Sequence, residues 1–191
     1  MHTTIVNLKK IINEINERLQ KNNEKSNPNV IAVSKTFGMD KIEPLINYGH
    51  IHFGENKVQE AVEKWTDLKK TNSNLKLHMI GKLQSNKVKQ VVPLFDYLHS
   101  LDNYKLAKKI HQEEKKNNKK IKIFIQINLG LEEQKSGINS KDLKDFYMQC
   151  INDLRSSDTL VVFGFPHIGG PNNYIPVAEC LVPLCGYTLV L

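Results

Sequence analysis

Cysteine is scarce in this chain: there are three among 191 residues, at Cys150, Cys180 and Cys185. They are too few, and too crowded toward the C-terminus, for a disulfide framework, which points to a reducing compartment. Arginine is scarcer still. Arg18 and Arg155 stand beside 25 lysines, whereas a protein that reads nucleic-acid bases spends arginine on bidentate contacts. No run approaches the roughly 18 apolar residues of a membrane span. Met1-His2-Thr3-Thr4 passes straight into an amphipathic pattern of mixed charge, unlike a signal peptide. The expectation is a cytoplasmic protein, bound neither to membrane nor to nucleic acid. The 40% hydrophobic and 25% charged content matches an ordinary globular domain with a core of its own.

The net charge of +7 is unevenly spread. All 27 Lys and Arg and 18 of the 20 acids precede residue 156, leaving Asp158 and Glu179 as the last charged side chains. Four of the seven prolines lie in the same uncharged tail (Pro166, Pro171, Pro176, Pro183). The densest basic run, Lys115-Lys116-Asn117-Asn118-Lys119-Lys120, has no interleaved aromatics for base stacking and reads as a solvated face.

Before that tail, short apolar runs alternate with helical periods. Ile5, Leu8, Ile11, Ile12, Ile15 and Leu19 predict a helix capped by Thr3 or Thr4. Val30–Val33 predicts a strand covered on both faces. Asp40 to Glu43 has capping-box spacing, with Pro44 in the first turn and Gly49 as the stop. Further strands are expected at His50–Phe53, Leu75–Ile80, Tyr97–Ser100, Ile121–Ile127 and Leu160–Phe163, with helices between them, the last capped by Ser140. Without hairpin signals the sheet should be parallel. A doubly wound sheet and a (β/α) barrel both satisfy this pattern.

In either architecture, chemistry sits at the C-terminal ends of the strands. Lys35 follows the first strand, Glu55 and Asn56 the second, Gly81 to Asn86 the third, Asp102 the fourth and Asn128 the fifth. A lysine at such a mouth is partly desolvated, which favours the neutral amine that Schiff-base chemistry needs. The structural alternative is a stem lying over apolar surface with its charge in water. Asn56 could equally cap its helix, and His78 could be a hydrogen-bonded core histidine. Cys180-x4-Cys185 is a weak metal signal without further partners, and Gly169-Gly170-Pro171 precedes no helical pattern.

The wording of these loops is more specific. Ala32-Val33-Ser34-Lys35-Thr36, Phe53-Gly54-Glu55-Asn56-x-x-Gln59-Glu60 and His78-x-Ile80-Gly81-x-Leu83-Gln84-x-Asn86-Lys87 resemble the pyridoxal-phosphate homeostasis family, known as YggS or PROSC. Ile125-Gln126-Ile127-Asn128 and Lys135-Ser136-Gly137 continue the likeness in order, the latter as a loop-shaping element. The resemblance implies an α/β fold: a parallel (β/α) barrel of TIM type, like the N-terminal domain of alanine racemase. It also implies pyridoxal 5'-phosphate as cofactor, with Lys35 the lysine of the internal aldimine and Asn56, His78 and Gly81 lining the same pocket.

The likeness fails after Phe163-Gly164-Phe165. The family's Ser-Met-Gly-Met-Ser loop and its Val-Arg-Ile-Gly strand are missing, and with them the expected phosphate donors and the arginine facing the pyridine ring. Residues 1–165 therefore read as the cofactor-binding barrel portion, about six of eight strands, and 166–191 as a divergent tail. Six strands alone leave two open edges. A frameshift near codon 165, or an error in how the gene was read, accounts for both the lost motifs and the lost charge. Translating the other two frames downstream should return them; their absence, with the reading confirmed by resequencing, refutes the frameshift. The function implied is a monomeric carrier in cofactor homeostasis that holds pyridoxal phosphate without turnover and hands it to dependent apo-enzymes. The alternatives are a racemase or decarboxylase, which needs a second domain and a second acid/base residue, and a non-functional remnant.

Overall fold

Helix and strand alternate along the chain as the apolar pattern requires. A computed structural model describes residues 1–25, 28–128, 136–154, 160–164 and 187–190. Helix α1 (Thr3–Lys21) precedes β1 (Asn29–Val33), α2 (Met39–Asn47), β2 (His52–Glu55), α3 (Val58–Thr71) and β3 (Lys76–Met79). A 3-10 turn (Ser85–Lys87) leads into α4 (Val88–Leu94), β4 (Tyr97–Leu101), α5 (Tyr104–Asn117) and β5 (Lys122–Asn128). The two-residue β6 (Ile138–Asn139), α6 (Leu143–Asp153), β7 (Leu160–Gly164) and β8 (Tyr187–Val190) complete the series. Among the described residues no helix is long and apolar enough to cross a membrane.

The strands form one parallel sheet in the order β6-β5-β4-β3-β2-β1-β8, with β7 also on β5. A doubly wound sheet reverses its strand order at a switch point. Here β1 to β5 lie side by side in chain order and β7 follows on β5, which is barrel order. One edge expected to be open is covered: β8, from the proline-bearing tail, pairs β1 from Asn29↔Tyr187 to Ala32↔Val190. Residues 165–186, with Cys180 and Gly169-Gly170-Pro171, lie outside the described residues, as does Cys185.

The two faces of the sheet differ in kind. Phe53, Leu77, Met79, Leu98, Ile123, Ile125 and Ile127 join Ala61, Trp65, Val91, Leu106, Ile110 and Phe146 of the helices in one buried cluster. Phe53 meets the Trp65 ring of α3 at 4.9 Å. Period-two alternation sends their neighbours to the opposite, concave face, where His52, His78, Tyr97, His99 and Phe124 are buried against one another. Barrel interiors usually hold branched aliphatics; among the described residues this face carries a cluster of imidazole and aryl rings.

Several local boundaries shift for identifiable reasons. His2, rather than Thr3 or Thr4, caps α1, its Nδ1 accepting from the Thr4 N–H at 3.3 Å. Gly38 is the N-cap of α2, so Asp40 lies inside the first turn and Pro44 beyond it, and no capping box forms. Gly49, at φ +96°, ends α2 as expected, with the His50 N–H donating to Leu45 O at 2.9 Å. That bond keeps His50 out of β2, which runs instead from His52 through Glu55. Asp142 replaces Ser140 as N-cap of α6. The lysine run is a helix stop: Asn118 turns left-handed at φ +46°, and Lys119 Nζ donates to Pro93 O and Phe95 O, both at 2.8 Å.

Candidate functional site

The strand C-termini are stitched into a common rim. The Ser34 N–H donates to Gly54 O at 2.9 Å, the Ile80 N–H to Glu55 O at 2.9 Å, and Ser100 Oγ to Gly81 O at 2.7 Å. Gly81 packs so closely on the β2–α3 loop that a Cβ there would lie 2.2 Å from Asn56 O. The glycine therefore serves a backbone-to-backbone approach within the chain. Ser136 and Gly137 act in the same way at the end of β5: Gln126 Nε2 donates to Ser136 O at 3.1 Å, and Gly137 sits at φ +131° against Asn128. Lys135 lies outside the described residues.

Lys35 lies in the turn directly after β1. Ile31 and Val33 alternate with Ala32 and with Ser34, whose Oγ turns to the helix-covered side and donates to Glu55 Oε1 at 2.8 Å. Lys35 is half-buried and makes no ion pair among the described residues, whereas Lys64 of α3 is paired with Glu55 at 2.9 Å. Asn56 is half-buried too, and the cap of α3 is Lys57, so capping does not account for it. At this rim Lys35 and Asn56 keep uncommitted polar ends among the described residues.

His78 is different. It has no exposure, its ring stacks on Tyr97 at 4.1 Å and 5°, and both nitrogens are engaged. Nε2 meets His52 Nδ1 and Nδ1 meets His99 Nε2, each at 2.9 Å. A neutral imidazole offers one donor and one acceptor, so the two contacts share a single tautomeric sense along the chain. Burial pushes the His99 pKa down to about 4, and burial together with the charges of His99 and His52 holds His78 well below the ordinary histidine range. His52 and His50 are lowered as well, chiefly by burial. The sequence pattern singled out His78 alone; the signal for its partners was a histidine in each of three successive strands.

Glu55 was read as a residue following β2, but it is the strand's last residue and fully buried. Its Oε1 also accepts from Trp65 Nε1 at 3.0 Å.

The comparisons with known proteins fit this geometry. Two curated relatives, each called pyridoxal phosphate homeostasis protein, are 39% identical to the chain. That of Pasteurella multocida matches over 123 residues, 64% of this chain and 53% of its own length. That of Buchnera aphidicola matches over 145 residues, 75% and 63%. The chain thus spans just over half to under two thirds of these relatives. The solved structure of PipY from Synechococcus elongatus without PLP superposes with a TM-score of 0.67 at 30% identity, covering 81% of this chain and 72% of PipY. The PLP-bound form gives 0.64 at 29% identity, covering 80% and 71%. The family model of the alanine racemase N-terminal domain matches residues 6–165, and the chain belongs to that family.

Proposed function

We propose that this chain binds pyridoxal 5'-phosphate through Lys35 and serves its homeostasis, holding and releasing the cofactor in the cytoplasm without catalytic turnover. One observation carries the reading: a half-buried lysine with no ion pair among the described residues directly follows β1 of a barrel-ordered sheet, at the rim that also bears Asn56. When bound, the cofactor supplies an aldehyde that condenses with a neutral amine, losing one water. The residues present fit the aldehyde and ring: Lys35 supplies the amine, Asn56 an amide, and Gly81 lets its own loop pack against that of Asn56. The loops that hold phosphate in such barrels follow strands seven and eight, a stretch that falls largely outside the described residues. His78, with both nitrogens engaged, contributes from beneath as part of a rigid floor. The relatives' names support a homeostasis role over an enzymatic one. Dependent apo-enzymes are the proposed recipients, and a monomer the proposed state.

Incubation with pyridoxal phosphate, borohydride reduction and peptide mapping is expected to place the adduct on Lys35, and Lys35→Ala to abolish the visible absorbance. No racemisation or decarboxylation of amino acids is expected from the loaded protein. A reduced adduct on another lysine, with Lys35 unmodified, refutes the assignment.

A further inference from the structure

The buried Glu55 carboxylate is unevenly used. Oε1 accepts from Ser34 Oγ at 2.8 Å, Lys64 Nζ at 2.9 Å and Trp65 Nε1 at 3.0 Å, while Oε2 has no hydrogen-bond partner among the described residues. A buried ion pair seldom adds net stability over an apolar replacement of similar volume, and an unsatisfied buried oxygen adds a further cost. Stability alone does not explain this arrangement. Geometry does.

Every polar atom of Ser34 is held. Its N–H donates to Gly54 O at 2.9 Å and its Oγ to Glu55. Its carbonyl accepts from Lys64 Nζ at 2.9 Å and from the Phe37 N–H at 3.1 Å. Lys64 Nζ is placed in turn by Glu55. The next residue is Lys35, so the peptide plane from which its Cα–Cβ bond departs is set by a network whose hub is Glu55. The turn closed by Phe37 is tied to the same carbonyl.

We infer that Glu55, acting through Ser34 and Lys64, is a positioning residue for the Lys35 amine; the inference rests on the Lys35 reading above. It faces away from the concave side and touches no reacting atom. What it supplies is a fixed origin for a long, otherwise free side chain. A misplacement of about 1 Å can slow a reaction roughly 100-fold, so a small relaxation at Ser34 is enough to be read kinetically.

Adduct growth with excess pyridoxal phosphate, followed by visible absorbance, separates the saturating rate, the half-saturating concentration and the final amplitude. Ser34→Ala removes one tie and leaves the Glu55–Lys64–Trp65 cluster intact. Its saturating rate is expected to fall about tenfold, with the half-saturating concentration, amplitude and thermal midpoint little changed. Glu55→Gln, which keeps an acceptor at Oε1, should lose no more than about threefold and Glu55→Ala more than either, as positioning requires. If Glu55→Ala does not fold, the other two variants decide. A parental saturating rate in Ser34→Ala overturns the inference, as does a loss confined to amplitude, the signature of a less stable fold. Peptide mapping of the reduced parent keeps the two failures apart. An adduct away from Lys35 refutes both readings, whereas a Lys35 adduct forming at the parental rate in Ser34→Ala refutes positioning alone.

Discussion

Between pH 6.5 and about 4 the protein is expected to lose stability steeply, before most carboxylates titrate. The cause is the histidine chain on the concave face. His99 titrates near 4 in the folded state, against 6.5 for the ordinary side chain, and His78 is displaced in the same direction. A base whose folded pKa is depressed is neutral when folded and charged when unfolded throughout the interval between the two values. The unfolded chain then binds the extra proton, so stability rises with pH across that interval and is lost as pH falls. For His99 alone the full interval amounts to about 3 kcal/mol. His78, displaced in the same direction, steepens the loss further. Urea midpoints measured at half-unit steps from pH 7.5 to 4.5 test this. His99→Phe keeps an aromatic against Phe124, which His99 now stacks on at 4.4 Å. That variant should be less stable than the parent at pH 7.5 but show a shallower slope. A flat parental profile, or an identical slope in the variant, excludes the histidine chain as the cause.

Gly81→Ala should be among the most damaging single-methyl additions in the chain. The new Cβ would lie 2.2 Å from Asn56 O, 2.8 Å from Asn56 Cα and 2.9 Å from Asn56 C. All three are backbone atoms, so no side-chain rotation relieves the overlap. Ser100 Oγ donates to Gly81 O at 2.7 Å and resists movement of the loop. Forced overpacking of this kind costs about 3 kcal/mol, or roughly 6–12 °C of thermal midpoint at this chain length. Gly49→Ala is the comparison. That residue needs φ +96° but has nothing within 4 Å of a Cβ, so only backbone strain of about 1–2 kcal/mol is expected. The two variants should also differ in cofactor binding. Gly81→Ala displaces Asn56 and should weaken it, while Gly49 lies at the opposite end of β2. Equal costs in stability would show that the rim loops separate freely.

Much of this protein is legible without coordinates. Ile123, Ile125 and Ile127 alternate as a strand must, and Leu143, Phe146 and Leu154 recur as a helix must; the structure buries all six in the core cluster. The placement of Lys35 directly after an apolar strand also follows from order along the chain, as does the pairing of a glycine with the loop after β3. These are local properties, because strand and helix periods are set by backbone geometry over a few residues.

Strand order was not legible. Alternation fits a doubly wound sheet as well as a barrel, and only the neighbours of each strand separate them. Nor could the pattern place Tyr187–Val190 beside β1, more than 150 residues earlier in the chain. The roles of His78 and Glu55 depended on distant partners in the same way. His78 bonds across 26 and 21 residues to His52 and His99, and Glu55 receives Ser34 across 21. The amino-acid sequence determined which side chains share a face of each element. Only the tertiary structure decided what those faces meet, because the contacts that commit His78 and Glu55 form between elements distant in the chain.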